Sequence, residues 1–197
     1  MGQIKNISKQ LLLALKFMHE KKIIHRDIKP ENILLKNEKD LKICDFGCST
    51  YLGKNEIFNP NIDTRNYKAT ELVLARNDYT QKIDIFSAAC VIGELFRLEL
   101  LFPANCDEME LFYHIAILGN LERDYLMKLK HLPKGVINYL KKIEIKKSVS
   151  FEEYINEDSV YEKEEVKKAA DLLVNMLNYD DTKRFDADEC LKHPFFL

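Results

Sequence analysis

The 197-residue sequence predicts a mainly α-helical domain with a few short strands near its start. Three observations point there. Apolar residues recur at helical spacing in several long windows. Residues 81–98 (QKIDIFSAACVIGELFRL) are apolar on almost every face, as expected of a helix at the centre of a domain. The strand-like runs are short, confined to the first quarter of the chain and separated by turn residues.

The elements follow in order. Ile4, Ile7, Leu11, Leu15 and Met18 lie at helical spacing with Ser8 and Gln10 opposite, which predicts an amphipathic helix over about 6–20, ending near Lys21 and Lys22. Ile23–Ile24, Ile33–Leu35 and Leu41–Cys44 read as short strands, with a polar loop closed by Pro30 after the first and a turn at Asn37–Asp40 before the last. Ser49 to Asp78 shows neither helical nor alternating periodicity and reads as a long functional loop. Pro103 follows the central helix, Met109–Leu118 predicts a further helix stopped by Gly119, and Val166, Ala169, Ala170, Leu173, Met176 and Leu177 define another.

Composition narrows the function. Thirty basic against 32 acidic residues leave a net charge of −2, so no cationic field marks a nucleic-acid or membrane binder. The apolar run Leu11 to Leu15 is far short of the roughly 18 residues a spanning helix needs, and no signal peptide is evident, so an intracellular protein of cytoplasm or nucleus is expected. Five cysteines (Cys44, Cys48, Cys90, Cys106 and Cys190) form no paired pattern and read as buried reduced thiols. Lys134 to Lys147 carries five lysines and one glutamate, Glu152 to Glu165 seven acids and one lysine; solvated faces explain most such runs.

The chemistry concentrates in His25-Arg26-Asp27-Ile28-Lys29-Pro30-Glu31-Asn32, with Asp45-Phe46-Gly47 thirteen residues after Asn32. Taken singly, Asp27 or Asp45 reads equally well as a turn cap, but that does not explain the set. In this order and spacing the two motifs resemble the catalytic loop and magnesium-binding motif of eukaryotic protein kinases. The resemblance implies phosphoryl transfer from ATP and Mg²⁺ to a protein substrate. It makes Asp27 the base that steers the substrate hydroxyl, Lys29 the cation on the transferred phosphate, and Asn32 and Asp45 the metal-binding oxygens. Lys29 within DIKPEN looks like the serine/threonine kinases rather than the tyrosine kinases. Lys29, Asn32, Leu34 and Asp45 would border the nucleotide, Leu34 beneath the adenine.

The resemblance runs along the whole chain, but only to the kinase C-terminal lobe. Ala69-Thr70-Glu71 stands where kinases carry Ala-Pro-Glu, Asp84-Ile85-Phe86-Ser87 is similar to the opening of their central helix, and the family pairs the equivalents of Glu71 and Arg184 in a buried ion pair. Thr64 and Arg65 open TRNYKATE, which looks like the TRxYRAPE segment of the CMGC group, and LFPANCDEMELFYHIAILGN supports that group. Residues 119–165 would then be the group's insertion, where a docking partner is expected. DIFSAAC and the final segment lean toward SR-protein or glycogen synthase kinases without deciding between them.

Four departures stand out. Thr70 replaces Pro, Asn66 and Phe86 replace aromatics, and Asp181 replaces the Pro expected before Thr182. These bear on peptide preference and stability. Leu52 to Asp63 holds no Ser, Thr or Tyr, so activity independent of loop phosphorylation is expected, with Glu56 or Asp63 meeting Arg26 in place of a phosphate. The Gly-rich loop and lysine of the other lobe are missing from this sequence. His25, Leu34 and Phe46 are therefore expected to face solvent or a partner, and an inactive lobe serving as a protein-binding module is the alternative reading.

Overall fold

The computed structural model describes residues 1–53, 59, 64–129, 131–132, 134–143, 149–157 and 160–197. Helix α1 (Gly2–Glu20) opens the chain and starts earlier than periodicity predicts, because the stripe begins at Ile4. Its buried face is Ile4, Ser8, Leu11, Leu12, Leu15, Met18 and His19. Ser8 thus lies on the core side, not the polar side expected, since i, i+4 spacing from Ile4 carries the stripe through it.

Two small antiparallel pairs frame the predicted catalytic loop. Strand β1 (Ile23–Ile24) pairs with β4 (Thr50–Tyr51), and β2 (Ile33–Asn37) pairs with β3 (Asp40–Ile43). The Ile33–Ile43 register and the bond from the Cys44 amide to the Asn32 carbonyl, 2.9 Å, bring the end of one predicted motif beside the start of the other. A one-turn 3-10 helix carries Pro30–Asn32 and a second Phe46–Cys48.

The long loop expected from Ser49 to Asp78 is partly structured: besides β4 it holds the short helix α2 (Thr70–Val73). Next comes α3 (Lys82–Arg97), buried on nearly every face and packed on α1 and on α8 (Lys163–Met176). Each residue buried there removes apolar surface from water, worth about 25 cal/mol per Å². Gly93 lets α3 approach Leu101 closely: a Cβ there would lie 2.9 Å from the Leu101 side chain, which would have to shift.

Helix α4 (Asp107–Leu118) begins two residues before the predicted start and ends at Gly119, φ 106°. After it come α5 (Arg123–Lys128), α6 (Lys134–Leu140) and α7 (Phe151–Ile155). Leu121, Tyr125, Leu126, Leu129 and Leu140 form a second core with Leu74, Ile115 and Tyr179, while Phe151 and Ile155 return to the main core. Helix α9 (Ala187–Leu191), capped by an Asp186–Glu189 capping box, packs on α1. The cysteines divide: Cys90 and Cys190 are buried as expected, Cys44 and Cys106 half-buried, and Cys48, on the outer side of its 3-10 turn, is exposed.

Candidate functional site

The candidate site sits where β1, the two 3-10 turns and the start of α3 meet. Its scaffold is Asp84 in the first turn of α3. One carboxylate oxygen accepts from the His25 amide, 2.9 Å, and the other from the Arg26 amide, 2.9 Å, while the His19 ring lies 2.9 Å from the former. These bonds hold Arg26 at φ 69°, a backbone conformation that a side chain disfavours and that tertiary contacts must maintain. The forced turn presents Asp27.

Three side chains converge on the Asp27 carboxylate. The Thr64 hydroxyl donates to Oδ1 at 2.6 Å; the Lys29 ammonium lies 2.9 Å from Oδ2, and the Asn32 amide donates to Oδ2 at 2.9 Å. Lys29 also donates to the Thr64 hydroxyl, 2.7 Å, closing a ring of contacts. Burial pushes the Asp27 pKa up, but the Thr64 hydroxyl, then Lys29 and Asn32, outweigh it and leave the carboxyl below its ordinary value of 3.8. A carboxylate so held is ionised at neutral pH, as an acceptor for a hydroxyl proton must be. Thr64, expected as a structural residue, touches both predicted catalytic groups; only the folding back of its loop brings it there.

The second motif supplies a hard oxygen nearby. Asp45 stands at φ 60°, its carboxylate accepting from the Gly47 amide at 3.1 Å, and is exposed. The Asn32 amide nitrogen is committed to Asp27, through the carboxylate and the backbone carbonyl at 2.8 Å, so its carbonyl oxygen is the atom left for a cation. Among the described residues no group of three His, Cys, Asp or Glu could hold a metal. Two oxygen donors fit a cation such as Mg²⁺, which takes its other ligands from water and phosphate.

His25 departs from expectation. It is fully buried, with one ring nitrogen 3.0 Å from the Cys44 carbonyl, the other accepting from the Asp27 amide at 3.3 Å, and its ring edge against Phe46 at 5.1 Å. The loop folds over it, so it faces neither solvent nor a partner. Leu34 and Phe46 are exposed as expected, 56% and 48%.

Arg26 donates to the Cys48 carbonyl and, at 3.2 Å, to the Tyr79 hydroxyl, which in turn donates to the Asn59 carbonyl at 3.1 Å. Glu56 and Asp63, expected to meet Arg26, lie outside the described residues. Tyr79 carried no sequence signal, being one aromatic in an irregular stretch.

The segment after Thr64 is anchored from three sides. Arg65 donates to the Asn105 carbonyl, 3.0 Å, and the Tyr67 hydroxyl donates to Glu94, 2.7 Å. Glu71 receives both terminal nitrogens of Arg184 at 2.7 Å, with both side chains fully buried. Burial alone would lower the Arg184 pKa; the Glu71 carboxylate beside it more than offsets this and leaves it raised. Asp181, at the position of the expected Pro, pairs with Arg76 at 2.9 Å, which accounts for an acid there.

Comparison with known proteins finds matches along almost the whole chain. A profile of the protein kinase domain matches residues 1–196. Mitogen-activated protein kinase 13 of Arabidopsis thaliana is 36% identical over 94% of this chain and 49% of its own length. The mitogen-activated protein kinase homolog NTF6 of Nicotiana tabacum is 35% identical over 95% of this chain and 48% of its own. Mitogen-activated protein kinase mpkC of Aspergillus fumigatus is 33% identical over 94% and 47%. The chain spans about half the length of these curated relatives.

Proposed function

We propose, from the premise that this chain belongs to the protein kinase domain family, that it carries the catalytic lobe of a CMGC-like serine/threonine kinase, moving the γ-phosphoryl of Mg-ATP to protein hydroxyls. The observation that carries the reading is the ionised Asp27 carboxylate held between Thr64, Lys29 and Asn32. Phosphoryl transfer passes through a loose, highly charged transition state, so positioning and charge stabilisation supply most of the rate.

In this reading Asp27 accepts or steers the proton of the substrate hydroxyl. Lys29, already beside Asp27, swings to the transferred phosphate, and Thr64 keeps the carboxylate aimed. Asn32 and Asp45 would hold the metal, which when bound would neutralise charge on the phosphates. Leu34 offers an exposed apolar face to an adenine. The partner is a protein substrate. Residues 119–165, whose α6 carries exposed Val136 and Tyr139 beside lysines, are the docking candidate. Cytoplasm or nucleus is the compartment; no helix of the described residues is long and apolar enough to cross a membrane.

An inactive binding module is the second reading, favoured by the exposure of Leu34 and Phe46. The test is Asp27→Ala in the intact protein. Turnover should fall by several orders of magnitude with folding nearly unchanged; equal turnover would remove Asp27 from its role. An unaltered protein that binds partners but transfers no phosphate would establish the module instead.

A further inference from the structure

Two of the four departures from the kinase pattern, Asn66 and Thr70, are joined through α4 by a buried chain of polar contacts. Thr70 is the first residue of α2, a position that suits Pro, and the preceding Ala69 has the extended ψ of 148° that a following Pro requires. The backbone therefore gives no reason for threonine. The hydroxyl does: Thr70 Oγ1 lies 3.0 Å from His114 Nδ1, with both side chains fully buried.

The chain continues along α4. His114 Nε2 lies 3.5 Å from Glu110 Oε1, one helical turn back, and among the described residues neither atom has a hydrogen-bond partner. A buried polar atom without a partner is costly, and one proton between these two satisfies both. The other oxygen of Glu110 accepts from the Asn66 amide at 3.2 Å, where the backbone stands at φ 78°. The rings of Phe86 and Phe102, with centroids 5.1 and 4.5 Å from that of His114, seal the pair from water.

We infer that Glu110 and His114 are positioning residues that close the segment from Asn66 to Thr70 through a buried relay, Asn66 to Glu110 to His114 to Thr70, and so fix the surface that receives the protein substrate. This rests on the kinase reading above. The relay acts on the substrate through the segment and touches no reacting atom. Its loss acts on peptide recognition and leaves nucleotide recognition alone.

The test compares Thr70→Val, which keeps the shape and removes the hydroxyl, with Thr70→Ser, which keeps the hydroxyl. In the intact protein Thr70→Val should raise KM for a substrate protein about tenfold, far more than it changes kcat or KM for ATP, with Thr70→Ser recovering most of the loss. Independently of turnover, Thr70→Val should speed hydrogen exchange at the amides of Asn66 to Glu71 about tenfold without changing α1, and His114→Leu should do the same. A lower melting temperature with unchanged KM, or with unchanged exchange at those amides, would overturn the inference. An unaltered protein that transfers no phosphate would overturn the kinase reading and the substrate role together, a failure distinct from transfer with KM unmoved.

Discussion

The Tyr79 hydroxyl accepts from Arg26 at 3.2 Å and donates to the Asn59 carbonyl at 3.1 Å, joining the predicted catalytic loop to the loop that follows Gly47 through one uncharged hydroxyl. Arg26 also holds the Cys48 carbonyl, so its guanidinium is engaged on two sides without a phosphate.

That contact predicts how turnover responds to phosphorylation. Treating the intact protein with a phosphatase should leave turnover unchanged, while Tyr79→Phe should lower it by releasing Arg26 from Asn59. A phosphosite at Ser49, Thr50, Tyr51, Thr64 or Tyr67 that raises activity would refute this; mass spectrometry of the active protein makes the check.

The Asp27 carboxyl gives a prediction in pH. Its pKa lies below the ordinary 3.8 because the Thr64 hydroxyl, Lys29 and Asn32 outweigh burial. Thr64→Val removes the foremost of those donors and leaves the burial, so the Asp27 pKa should rise in a carbon-13 carboxyl titration. A depressed carboxyl stabilises the fold above its unfolded value, and this contribution is lost as pH falls through the folded value. Thr64→Val should therefore destabilise more at pH 7 than at pH 3. Equal destabilisation at both would mean that Thr64 does not set the charge of Asp27.

Glu71 and Arg184 bear on stability. Both are buried, and each is the other's charge partner at 2.7 Å. Arg184→Met should cost about 3–5 kcal/mol, because the Glu71 carboxyl is left buried without its charge partner. Arg184→Met combined with Glu71→Gln should recover part of that loss in denaturant unfolding. A double variant no better than the single would show that shape, not charge, holds the site.

Asp181 tests whether a departure from the kinase pattern is compensated locally. With Arg76 at 2.9 Å and both side chains largely buried, Asp181→Ala should lower stability by about 1–3 kcal/mol. The loss should shrink in Asp181→Ala when Arg76→Met is already present, which a double-mutant cycle by thermal unfolding reads directly. Additive losses would mean that the two side chains do not support each other.

The chain by itself determined the helical periods of α1, α3, α4 and α8, the first three short strands and the motifs that name Asp27, Lys29, Asn32 and Asp45. Periodicity and fixed spacing are local properties, and local chemistry is written in order along a sequence. Tertiary structure alone decided what those residues touch. Thr64 reaches Asp27 from 37 positions away, and Arg184 reaches Glu71 from 113, because chain return is set by packing against α3 rather than by any neighbouring residue. The same reason buries His25 beneath its own loop and turns Glu110 and His114, two polar residues on one face of α4, toward Asn66 and Thr70. Their i, i+4 spacing was legible in the sequence; the partner each would meet was not, since a buried polar group is satisfied only by what the fold carries to it.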